Sequence, residues 1–245
     1  MSMSPVLPRP GPLRSPVGLS HVVILMLGVA ITADVFSLVV GFNLHAAWSD
    51  VLAPGYDGSS GDSYERVETL YGLSGGMQGL SLLVCAVLFI SWFHRVRGNA
   101  QTFAPDAHSK SSGWAVWGWL VPVVSLWYPR RIALDIWAAS GPEPHLGLAK
   151  PPSRALINAW WTLWLATLFY GNLASRRYEG AVDGADVQRA VAELMVSDVI
   201  NIAAAVLAIL VVRRLTSMQQ EKARAWMRLY GDQPAGTPDS ALPRP

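Results

Sequence analysis

Apolar residues run almost without interruption over 19–42, 70–93, 155–173 and 194–212, and polar residues collect between these runs. A helix needs roughly 20 residues to cross a bilayer core, and about 17 are tolerated. The pattern therefore predicts an all-α integral membrane protein with four transmembrane helices. A fifth apolar stretch, GWAVWGWLVPVVSLWYPRR at 113–131, does not fit so simply. Only 16 residues separate the ends of 113–128, and Pro122 breaks a helix within them. The expectation there is a short re-entrant or interfacial element, with a short fifth span as the alternative. After Pro129, the residues Ile132, Ala133, Ile136 and Trp137 share one face, while Arg130, Arg131 and Asp135 stand elsewhere. That spacing predicts an amphipathic helix on the membrane surface, completing an interfacial segment over 113–137.

The positions of the basic residues decide between the two topologies, because short cytoplasmic loops carry the excess of lysine and arginine. With four spans and both termini inside, only Arg66, Arg176, Arg177 and Arg189 of the 19 lysines and arginines lie outside. A fifth span would leave eight inside and eleven outside, so the expectation is a multi-pass protein of the plasma membrane with both termini cytoplasmic. The first span reads as an uncleaved signal anchor, since Asp34 interrupts it and its apolar run exceeds that of a signal peptide. Residues 1–17 and 231–245, rich in proline and poor in packing material, read as disordered tails around a membrane domain at 18–230.

Composition agrees: 51% of residues are hydrophobic and 15% charged, with mean hydropathy +0.29, against about 25% charged in soluble domains. The net charge of +2 gives no reason to expect nucleic acid as a partner. The lone Cys85 excludes an intrachain disulfide and a cysteine-cluster metal site, and its apolar setting marks it as a buried small hydrophobe. The five histidines show no metal-binding spacing, and no glycine loop for phosphate is present, so neither metal nor cofactor is expected. GLSGG at 72–76 matches a nucleophile motif only formally, because that motif needs a strand before its turn. Its glycines suit packing instead: Gly72 with Gly76, and Gly75 with Gly79, form small-xxx-small pairs that let a helix approach, either from the same chain or from a second protomer.

The candidate site lies inside the membrane. Asp34 is about 12 Å from the outer end of the first span at 1.5 Å per residue. Gln78 in the second, Asp198 with Asn201 in the fourth, and Thr167 in the third fall at a comparable height. A carboxylate in a bilayer faces the bundle interior, and it marks either a proton or ligand pathway or an interhelical tie. Both readings stay open, and so does an inward reach of Arg176 and Arg177. On the cytoplasmic side Arg213, Arg214, Lys222, Arg224 and Arg228 follow the last span. There the helix is expected to continue, offering Leu215, Met218, Trp226 and Leu229 to a surface of anionic head groups.

A run of motifs gives a resemblance. Trp92, Arg95 and Asn99 form W-x-x-R-x-x-x-N at the end of the second span. Gly113, Trp114, Trp119, Pro122, Leu126 and Pro129 then follow the G-W-x-x-x-x-W-x-x-P-x-x-x-L-x-x-P pattern, and Trp160 with Trp161 opens the next helix. Over roughly 70–220 the chain resembles a bacterial membrane family known as domain of unknown function 4328. The resemblance implies an integral membrane protein and no activity. The leading expectation is a noncatalytic scaffold or partner-binding component, alone, with a membrane partner, or as a homo-oligomer. The alternatives are a small transporter or channel-like component using the intramembrane carboxylates, and an interfacial lipid-acting enzyme.

Overall fold

The computed structural model describes residues 13–56, 61–141 and 153–230, and these are almost wholly helical. The tail at 231–245 and most of the tail at 1–17 lie outside the described residues. Helix α1 spans Val17–Val51, α2 Gly61–Phe103, α3 Trp114–Leu120, α4 Tyr128–Ser140, α5 Ala155–Glu179 and α6 Gly184–Tyr230, with a 3-10 turn at Val124–Leu126. Proline and glycine punctuate them. Pro16 precedes α1, Pro54 and the positive-φ Gly55 (φ 90) follow it, and Pro105 stands two residues beyond α2. Asp183 caps α6 by accepting the Asp186 amide at 2.7 Å.

Among the described residues, three helices are long and apolar enough to cross a membrane, lying within Val17–Val51, Tyr64–Phe103 and Gly184–Arg228. They suit the chain for membrane insertion. Helix α5, the expected third span, has 25 residues but is less apolar, because tryptophans, Asn158, Tyr170 and Asn172 dilute its aliphatic residues. Helices α2 and α6, with 43 and 47 residues, are about 65 and 70 Å long at 1.5 Å per residue. Each is therefore longer than the hydrocarbon core of a bilayer is thick, about 30 Å.

The main helix pairings are α1 with α2, α1 with α6, and α5 with α6, so the four long helices run in an arc α2–α1–α6–α5. The α3–α4 hairpin closes this arc at the end where α2 finishes, resting on α2, α5 and α6. Two apolar cores result. The larger draws on all six helices, including Val23, Trp92, Phe93, Ala115, Ile132, Ile136, Ile157, Trp160, Val211 and Leu215. The smaller lies near the C-terminal end of α1 and the N-terminal ends of α2 and α6, around Val40, Leu44, Tyr71 and Val191. There Gly184 makes room for the Trp48 ring, which a Cβ at that position would overlap.

Several expected surfaces turn out to be interior. Ile132, Ala133, Ile136 and Trp137 do share one face of α4, but that face packs into the larger core instead of lying on lipid. Helix α6 does continue past Val212, yet Leu215 and Met218 are buried in the same core, and the Trp226 ring packs edge-on against Phe103 at 5.5 Å. The gap between α2 and α5 explains both, since α4 and the end of α6 fill it. Conversely, Gly72, Gly75, Gly76 and Gly79 are exposed, and a Cβ on any of them would meet nothing within 4 Å. Among the described residues no helix uses their close approach.

Candidate functional site

Between the two cores lies a polar layer built from three helices. Gln78 on α2 donates from Nε2 to Asp34 Oδ1 on α1 and to Asp198 Oδ1 on α6, each at 2.8 Å. One amide carries two hydrogens on its nitrogen, so a single side chain serves both carboxyl groups. Asp34 and Asp198 are 7% and 5% exposed, so both face the bundle interior. Asn201 stands beside Asp34, and Ser37 beside Asp198. Thus Asp34, Gln78, Asp198 and Asn201 do come together. Thr167 does not join them, because its hydroxyl donates to the Trp164 carbonyl of its own helix at 2.8 Å. Arg176 and Arg177 do not reach inward either: both are exposed, and Arg177 pairs with Glu193 on α6. Asp198 Oδ2 is buried with no hydrogen-bond partner. Ser74, the serine of GLSGG, donates to the Tyr71 carbonyl within α2 at 2.7 Å, a helix-internal role. Among the described residues no group of three acidic, histidine or cysteine side chains is placed to hold a metal, and Cys85 is buried and free.

A second polar layer lies 21 residues further along both α2 and α6, about 32 Å at 1.5 Å per residue. Asn99 on α2 clamps the backbone ahead of α1: its Oδ1 accepts the Arg14 amide at 3.0 Å and its Nδ2 donates to the Arg14 carbonyl at 2.8 Å. Nδ2 also donates to Gln219 Oε1 on α6 at 3.0 Å, and Gln219 Nε2 donates to the Val96 carbonyl at 2.8 Å and to the Ser140 hydroxyl at 3.2 Å. Arg95, one turn before Asn99, donates to the Ser15 carbonyl at 3.3 Å. Trp92 Nε1 donates to Thr216 at 3.3 Å, and Lys222 Nζ to the Ala139 carbonyl at 2.9 Å. The W-x-x-R-x-x-x-N motif is therefore a lock between α2, α6 and the chain entering α1.

The tryptophan-rich motif closes this end. Trp119 packs edge-on against Phe89 (5.6 Å), Phe93 (5.7 Å) and Trp164 (5.5 Å), while Trp160 and Trp161 complete the ring of aromatics. Its indole N–H is buried without a partner, so packing alone holds it. Gly118 lets Tyr128 Cβ approach to 3.4 Å of where its own Cβ would be, and Trp114 packs on the Tyr128 ring at 4.9 Å. Helix α3 stops at Val121–Pro122, where the Val124 amide donates to the Pro122 carbonyl at 2.7 Å. That three-residue turn forces Val123 to φ 67, ψ −54, a strained setting for a β-branched residue. Leu126 and Pro129 then set the 3-10 turn and the first turn of α4, and Arg130 donates to Asn158 at 2.9 Å.

The loop from α2 to α3 holds one more buried group. Asp135 accepts the Ser109 amide and hydroxyl at 3.0 and 2.6 Å, and Arg97 donates to the Lys110 carbonyl at 2.7 Å. Between them His108 has both ring nitrogens buried and unbonded. Burial pulls its pKa below the ordinary 6.5 and the Arg97 charge adds to this, while the Ala100 carbonyl, outside hydrogen-bond geometry, and Asp135 act the other way.

Sequence reasoning found the first polar layer and missed the second. Ser37, three residues after Asp34, shares its helix face and was open to the same argument. Gln219 carried a further signal: it follows Asp198 by the interval that separates Gln78 from Asn99.

The sequence profile of a domain of unknown function (DUF4328) matches residues 58–217. No curated protein matches the chain. No solved structure matches it either. The profile covers well over half of the chain, which therefore belongs to the DUF4328 family.

Proposed function

We propose that this DUF4328 protein is a noncatalytic, four-pass scaffold or partner-binding component of the plasma membrane, with both termini cytoplasmic. In this reading α5 is the third span, and the α3–α4 hairpin is re-entrant from the cytoplasmic side. The basic residues support the orientation, since the four on the outer side are Arg66, Arg176, Arg177 and Arg189. The hairpin's depth is supported by Trp119 lying against Phe89 and Trp164, and by the exposed apolar side chains of Trp117, Leu120, Val123 and Trp127 at its tip. Reporter fusions after residues 17, 60, 145, 184 and 225 should read in, out, in, out, in. An outside signal at 225 would sink the topology.

One observation carries the scaffold reading. The polar side chains inside the bundle bind one another across helices, with Gln78 holding α1 to α6 as a structural tie. The buried Asp198 Oδ2 favours a second reading, a proton or cation site of a transporter, because a carboxyl oxygen without a partner in lipid is costly unless something visits it. Full-length protein in liposomes separates the two. The scaffold passes no more protons or alkali cations than empty vesicles, and Asp34→Asn changes nothing but stability. A flux that Asp34→Asn abolishes, with assembly intact, would establish transport instead.

A further inference from the structure

Between α2 and α3, beside the segment that leads into α1, runs an open groove of about 680 Å³. Its α2 side is a single stripe from Val87 through Ile90, Ser91, His94 and Arg95 to Gly98, about 16 Å of helix at 1.5 Å per residue. The stripe changes character along its length. At one end Val87 and Ile90 face Val116 and Leu120 of α3; at the other stand Arg95, His94 and Arg14. Among the described residues no acidic side chain lines it. The clamp already described holds the Arg95 guanidinium through the Ser15 carbonyl and fixes the backbone of Arg14 through Asn99, so both arginines start from the groove's edge. The apolar end opens sideways onto exposed hydrophobic surface, with Val87 67% and Leu120 58% exposed.

We infer that this groove is a binding site for one anionic phospholipid of the leaflet that α2 leaves. The phosphate sits between Arg14 and Arg95, where a guanidinium offers paired donors to phosphate oxygens, and an acyl chain lies along Val87, Ile90 and Leu120. The groove's volume matches that of small-ligand sites. The order of its lining follows the order of a lipid, charge outermost and hydrocarbon inward. A soluble anion would leave the apolar wall bare, and a zwitterionic lipid would set its own cation against two arginines. Gly98 forms the floor beneath the head group, and a Cβ there would meet nothing within 4 Å. A larger residue at 98 fills the site without disturbing the helix. The inference stands whether the protein scaffolds or transports.

The test uses full-length protein in detergent, equilibrated with phosphatidylglycerol or phosphatidylcholine, and reads the lipid retained per chain after gel filtration. Phosphatidylglycerol is retained at about one per chain and phosphatidylcholine is not. Arg14→Ala removes one charge near the head group and lowers retention about fivefold, as expected for one basic residue. Gly98→Leu keeps every charge and lowers it at least as much. Arg213→Ala, an exposed basic residue on α6 away from the groove, leaves retention unchanged. The site is overturned by equal retention of the two lipids, by Gly98→Leu behaving as wild type, or by Arg213→Ala costing as much as Arg14→Ala. Full displacement by inorganic phosphate overturns it too, since that would make the groove a site for free anions.

Discussion

In the proposed topology the outer half of the bundle brings three helices together around two carboxyl groups and one amide, whereas at the other end all six meet around a stack of tryptophans and phenylalanines. The difference follows from the solvent each half faces. Lipid is as apolar as leucine, so helices inside it gain little by burying leucine against leucine, and directional bonds must hold them. The exposed Leu73, Leu80, Leu82 and Leu83 of α2 show how little of that half is covered by protein. Near the aqueous boundary burial removes surface from water, and aromatic packing becomes the stronger tie.

The contrast can be broken most forcefully at Trp119. Trp119→Ala leaves a cavity among five aromatic rings and should destabilise the protein by about 3–5 kcal/mol, read as thermal unfolding in detergent. A loss under about 1 kcal/mol would mean that the aromatic stack is ornament and the polar layers hold both halves. Gln78→Leu tests the outer half, where it leaves two facing carboxyl groups without their shared donor. The expected cost is about 2–3 kcal/mol, and adding Asp34→Asn should recover part of it. If Gln78→Leu is neutral, the layer is wet and the outer half is not tied there. Asn99→Ala cuts the clamp at the other end, at about 1–3 kcal/mol. It should also expose the chain around Arg14 to protease, which Gln78→Leu should not do.

Acid sharpens the comparison, since the described loop between α2 and α3 packs a neutral histidine. The folded pKa of His108 lies below the ordinary 6.5, so its stabilisation is complete above that value and is lost as pH falls below it towards the folded value. Unfolding temperature should drop between pH 7.5 and 5.5, and His108→Gln should lessen the drop. A drop of the same size in His108→Gln would place the acid-sensitive group elsewhere. The smallest effect is expected at Val123→Gly. Relief of the strained φ 67 offsets the greater freedom of an unfolded glycine, leaving stability within about 1 kcal/mol of wild type. A larger loss would show that the Val123 side chain itself anchors the hairpin.

The outer layer was legible because its polar residues interrupt apolar runs, and each lone aspartate or glutamine there must face another. The hairpin was legible from Pro122 and Pro129, which break a run too short to cross. The lock at Asn99 was not legible as a lock. Its partners are a backbone segment, Arg14, and a glutamine in a helix end that is polar on one side, where Gln219 resembles its solvated neighbours. The surface assigned to α4 failed for a related reason. Periodicity shows that Ile132 and Ile136 share a face, but not whether lipid or protein covers it. Nor does small-residue spacing say whether a helix arrives, as the bare glycines at 72–79 illustrate.

The two polar layers share a ruler. Gln78 to Asp198 and Asn99 to Gln219 are both 120 positions apart in the chain. Each helix therefore carries the same interval between its two bonds, a whole number of seven-residue repeats. Two pegs on two rods fix both sliding and rotation. Removing one residue between Asp198 and Gln219 would turn the far peg by about 100°, a helix's rotation per residue, and no local adjustment could seat both. Removing seven from both rods would realign these two pegs, but the chain through α1, held by Gln78 at Asp34 and by Asn99 at Arg14, would have to shorten with them. Length between the pegs is thus a property that α1, α2 and α6 hold in common, and a change in one calls for its match in the others.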